Sequence, residues 1–73
     1  MEKRDIITAM EKFAGGAGMM CIIDFSRFTG KDRKFLKEQL DRAGLVPTRL
    51  GMSKMYYIKD LASYLKQQET LQA

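Results

Sequence analysis

The side chains in this chain with a chemistry to offer are cationic. Between Arg27 and Lys54 lie eight basic residues (Arg27, Lys31, Arg33, Lys34, Lys37, Arg42, Arg49 and Lys54) against three acidic ones (Asp32, Glu38 and Asp41), a net +5. The whole chain carries 13 Lys and Arg against nine Asp and Glu, a net +4, so the excess is concentrated in this segment. A local basic patch is the electrostatic footprint of a polyanion partner. Spacing sharpens the reading. With Leu36 and Leu40 facing inward on a helix, Arg33, Lys34 and Lys37 are expected on the opposite arc. Arg33 suits a bidentate contact to guanine, and Lys34 and Lys37 can reach bases or phosphates. Arg27 fits a phosphate contact, and Lys31 joins the same set. Arg49, Ser53 and Lys54 flank a tight turn that can meet the backbone or the adjacent minor groove.

Other chemistries lack their residues. The chain has one cysteine and no histidine, so no internal disulfide, Cys-His nucleophile pair or zinc site of the usual Cys/His kind is available. Cys21 reads as a small buried hydrophobe in an apolar strand, which suits a reducing cytoplasm. No carboxylate pair marks a catalytic pocket, so no enzyme activity, metal or cofactor is expected. The glycines of Gly15-Gly16-Ala17-Gly18 have no P-loop lysine or GxGxxG after them and read as a linker. The longest apolar run, Ala14 to Ile23, is interrupted by glycines and falls short of the roughly 20 residues that span a bilayer. The charged N-terminus lacks the apolar core of an export signal.

These cations need a scaffold, and the pattern predicts one α+β domain, mainly α. Ile6, Ile7, Met10 and Phe13 recur at helical spacing and predict a helix over 3–14, expected to pack on the Leu36 and Leu40 face. The glycine linker covers 15–18. Met19 to Ile23 suggests a brief strand or an extended approach. Asp24 is a candidate N-cap for a short helix over Phe25–Phe28 that Thr29-Gly30 ends, and Asp32 caps a second helix, Arg33–Ala43. Leu36, Leu40 and Ala43 are expected to line its inner face. Gly30 is expected at a turn position where a side chain would clash. Gly44 and Leu45 form the helix stop. After Pro47, Thr48–Leu50 and Met55–Ile58 predict a hairpin through Gly51–Lys54, with Tyr56 and Tyr57 on opposite faces. Asp60 then caps a last helix, Leu61 to about Gln68, with Tyr64 in the core, and the tail Glu69 to Ala73 is expected to fray. The methionines read as gap-fillers, with Met52 and Met55 as exceptions near the hairpin. The units are thus an N-terminal helix (3–14), a linker (15–18), a helix-turn-helix (24–44), a two- or three-stranded wing sheet (48–58) and a C-terminal helix (60–68).

The segment Asp24 to Leu65 resembles the small winged helix-turn-helix DNA-binding domains of excisionases and MerR-like regulators. The resemblance rests on the turn Thr29-Gly30, the helix end Leu40-Asp41-Arg42-Ala43-Gly44-Leu45, Pro47 with Arg49, and Tyr57-Ile58-Lys59-Asp60-Leu61. It implies sequence-specific binding of double-stranded DNA, with Arg33, Lys34 and Lys37 on the recognition helix and Arg49, Ser53 and Lys54 on the wing. The absence of a long C-terminal coiled coil and of an effector domain favours a stand-alone factor. The expectation is an excisionase-like recombination directionality factor of a mobile element, working beside a recombinase or integrase, or a small transcriptional repressor. A module this small is expected to act as a homodimer or as cooperative copies on adjacent sites, without contact to a membrane. The alternative is a protein–protein interaction module using the same fold.

Overall fold

A computed structural model describes residues 2–72. The elements run α1 (Lys3–Phe13), β1 (Met19–Cys21), α2 (Ile22–Thr29), α3 (Arg33–Arg42), β2 (Thr48–Leu50), β3 (Ser53–Tyr57) and α4 (Ile58–Gln72). The strands form one antiparallel sheet in the order β1-β3-β2. The fold is α+β and mainly helical: a helix-turn-helix, α2–α3, is followed by a hairpin wing, β2–β3. The wing sheet has three strands, because β1 pairs with β3 through Met19–Tyr57, Met20–Tyr56 and Cys21–Met55.

One apolar cluster draws on every element but the edge strand β2. It contains Ile6 and Met10 of α1, Met20 of β1, Phe25 of α2, Leu36 and Leu40 of α3, Tyr56 of β3, and Ile58, Leu61, Ala62 and Tyr64 of α4. Each large apolar side chain so buried contributes roughly 1.5–3 kcal/mol. Met10 and Met20 fill the centre as expected of gap-fillers, whereas Met52 stands fully exposed at the hairpin tip.

The turn between α2 and α3 is fixed by local chemistry. Gly30 ends α2 with φ +75°, a backbone angle that L side chains rarely adopt. A Cβ there would meet nothing within 4 Å, so conformation rather than a clash requires glycine. The Ser26 hydroxyl donates to the Lys31 carbonyl at 2.6 Å, and the Lys31 N–H donates to Thr29 Oγ1 at 3.3 Å. Asp32 Oδ2 then accepts the Phe35 N–H at 3.0 Å and caps α3. At its far end the Leu45 N–H donates to the Leu40 carbonyl at 2.9 Å and the Gly44 N–H to Asp41 at 3.1 Å, the paired bonds of a Schellman stop. In the hairpin, Gly51 has φ +61°, while among the described residues no non-glycine has positive φ. Glycine in the first of two loop positions is what a II′ hairpin turn requires.

Several expectations are corrected. α2 begins at Ile22 with Cys21 as an N-cap that makes no side-chain bond, so Asp24 lies in the first turn instead of capping it. α4 begins at Ile58 and runs to Gln72, so Asp60 is likewise a first-turn residue and the segment from Glu69 is helical to Gln72; Ala73 lies outside the described residues. In both cases strand passes directly into helix. The Ile58 N–H donates to the Gly18 carbonyl at 3.0 Å, where the sheet hands over to α4. Strand β3 starts earlier than expected, at Ser53, which leaves only Gly51 and Met52 in the turn. The α1 stripe packs chiefly on α4 and also on α2, and its Ile6 and Met10 share the core with Leu36 and Leu40. Phe13, at the end of α1, is 47% exposed and meets Phe28 edge-on, centroids 5.7 Å apart. Ala43 is exposed because it caps α3 beyond its last turn. Cys21 is only half-buried, since its strand turns that side chain to the face away from the core.

Candidate nucleic-acid interface

The eight expected contact residues, Arg27, Lys31, Arg33, Lys34, Lys37, Arg49, Ser53 and Lys54, are all exposed. The fold does not gather them equally. At about 100° per residue round α3, Lys34, Glu38 and Arg42 point furthest from the Leu36–Leu40 seam. Arg33, Lys37 and Asp41 lie on one flank, Phe35 and Gln39 on the other. The expectation that Arg33, Lys34 and Lys37 share the outermost arc is therefore revised: Lys34 holds it, and the other two turn toward the wing.

The wing flank is where the cations meet. Lys37 and Asp41 of α3 line a cleft of about 210 Å³ together with Ile22, Pro47, and Lys54 and Tyr56 of β3. Arg49 is the register partner of Lys54, so both point to the same face of the hairpin. That face is the one carrying buried Tyr56, two residues along the strand from Lys54, and it looks toward α3. Lys37, Lys54 and Arg49 thus form a cationic group between α3 and the wing, with Arg33 exposed at the start of α3. The Ser53 partner is Leu50, and both lie on the reverse face. Ser53 is therefore at the tip but turned away from this group.

Lys31 goes elsewhere. Its Nζ lies over the Phe35 ring, 5.9 Å from the centroid. It lines a separate groove of about 380 Å³ on the opposite flank, with Ile6, Phe28, Phe35, Leu36 and Tyr64. Arg27 sits exposed in the last turn of α2.

Two cleft residues escaped the sequence reading. Asp41 places a carboxylate among the lysines. Tyr56 lies at its edge, and burial, followed by the Asp41 charge, raises the phenol pKa. The alternation of Lys54 and Tyr56 along β3 was a signal for the tyrosine. Asp41 had none, because its flank becomes an inner wall only when the wing folds against α3. Among the described residues, no three His, Cys, Asp or Glu side chains gather as a metal site would need, and no helix is long and apolar enough to cross a membrane.

Compared with family models, with curated proteins and with solved structures, the chain matches none.

Proposed function

We propose that this chain binds double-stranded DNA, with α3 in the major groove and the β2–β3 hairpin along the neighbouring backbone. The observation that carries the reading is the cationic group of Lys37, Arg49 and Lys54 between a capped, exposed helix and a wing. An α-helix fits the width of the major groove, and phosphate contacts from beside it fix its register. Arg33, in the first turn of α3, is the base reader, with Lys34 next to it on the outer arc. Lys37, Arg49 and Lys54 neutralise phosphates, and Arg27 adds an outlying contact. Within this reading the chain is an excisionase-like directionality factor acting with a recombinase or integrase, or a small repressor. The resemblance of Asp24 to Leu65 to excisionase and MerR-like domains supports that choice.

The test is a salt titration of binding to a pool of duplexes by fluorescence anisotropy. Each neutralised phosphate contributes about 0.9 to the log–log slope of affinity against salt. Arg49→Ala with Lys54→Ala should therefore lower the slope by nearly two. A folded protein without salt-dependent duplex binding would overturn the reading. It would favour a protein-interaction module, for which the apolar groove between Ile6, Phe28, Phe35 and Tyr64 is the supporting observation.

A further inference from the structure

The sheet is charged on its inner side and uncharged on its outer side. Pairing places Met19, Cys21, Leu50, Met55 and Tyr57 on one face with two hydroxyl residues, and the sheet's only charges, Arg49 and Lys54, on the other. A sheet with one face on the core normally turns polar and charged side chains to water on the second face. Here Tyr57 is 51% and Leu50 52% exposed, at opposite ends of the outer face. The apolar surface continues onto α1 through a shallow cleft of about 320 Å³, in which Met19 and Tyr57 meet Ile7 and Ile58, with Glu11 and Lys59 at its rim.

We propose that this outer sheet face is the contact between two copies of the chain, related by a two-fold axis. Three observations select a second copy as the occupant. The chain is net +4, and two cationic copies approach at least cost through a surface without charge. The cleft is lined by one acid, Glu11, and one base, Lys59, opposite charges that a self-complementary two-fold contact can set against each other. Nucleic acid, by contrast, finds no cation on the strands of this face. A standard interface takes about 800 Å² from each partner, so the contact must use the sheet and the Ile7 cleft together. Because Lys37, Arg49 and Lys54 lie on the opposite side of the sheet, pairing leaves them free. The inference does not depend on the DNA reading.

Sedimentation equilibrium of the full chain without DNA tests it. The wild-type protein should dimerise at micromolar concentrations. Tyr57→Lys should raise the dissociation constant at least tenfold with an unchanged circular dichroism spectrum. Leu50→Lys, further from the core, should do the same and serves where Tyr57→Lys fails to fold. Glu11→Lys should weaken the dimer, and adding Lys59→Glu should restore it. A monomer across the concentration range, or a dimer indifferent to a folded Leu50→Lys, overturns the proposal.

Discussion

Arg49 stands directly opposite Lys54 in the antiparallel hairpin, two cations in one cross-strand pair. Like charges so placed destabilise a hairpin, and opposite charges stabilise it by roughly 0.2–1 kcal/mol. An anion seated between the two removes the repulsion, so on the proposed DNA reading the pair weakens the free fold and strengthens the complex. Lys54→Glu should therefore raise the free energy of unfolding by a few tenths of a kcal/mol up to about 1, and weaken duplex binding. Urea denaturation and anisotropy read the two effects separately. A variant that gained or lost both together would contradict this role.

Arg33 and Lys37 share the wing flank of α3, yet their expected tasks differ. Arg33→Ala should cost roughly 1–3 kcal/mol of binding and relax preference at one base pair. Lys37→Ala should weaken binding to all duplexes alike. Selection from a randomised duplex pool distinguishes them, and equal, sequence-independent losses would remove Arg33 from the role of base reader.

Asp32 holds the first turn of α3 through the Phe35 N–H. Loss of such a cap costs about 0.5–2 kcal/mol. Asp32→Ala should lower stability by that amount. It should also weaken specific binding even though removing a carboxylate adds net positive charge, since Arg33 rides on the capped turn. Asp32→Ser, which can still cap, should recover most of the stability in thermal unfolding.

Tyr56 and Tyr64 both titrate above the ordinary tyrosine range, Tyr56 through burial and then Asp41, Tyr64 through burial. The folded chain thus holds these protons more tightly than the unfolded chain. Their contribution to stability is complete below pH about 10 and falls as the pH rises through the raised folded values. Unfolding free energy measured between pH 8 and 11 should decline above about 10. Tyr56→Phe should flatten part of the decline, and Asp41→Asn should flatten less. An identical profile for Tyr56→Phe would remove Tyr56 as a source of it.

Features that depend on near neighbours were legible in the chain. The Asp32 cap, the turn at Gly30 and the Gly44-Leu45 stop each involve residues within a few positions of one another, and they stand as expected. The starts of α2 and α4 were not legible. Asp24 and Asp60 offered caps that the helices pass over, because Ile22 and Ile58 begin helices where strands end. The Ile58 start is tied to Gly18, its neighbour across the sheet but distant along the chain. The cationic segment could be read by counting, but its division could not. Lys31 and Lys37 look alike in sequence, and only packing sends one over Phe35 and the other toward Lys54.

The sequence by itself determined that this is a small helical domain with a hairpin, that Leu36 and Leu40 face inward, and that positive charge gathers between Arg27 and Lys54. Periodicity, caps and charge are properties of short stretches, set by backbone geometry and by residues close along the chain. Tertiary structure decided which cations form a group, that Met19–Cys21 becomes a third strand, and that the outer face of the sheet carries no charge. These follow from the register of β3 between two strands from distant parts of the chain. A one-residue shift in that register would reverse every side chain of β3.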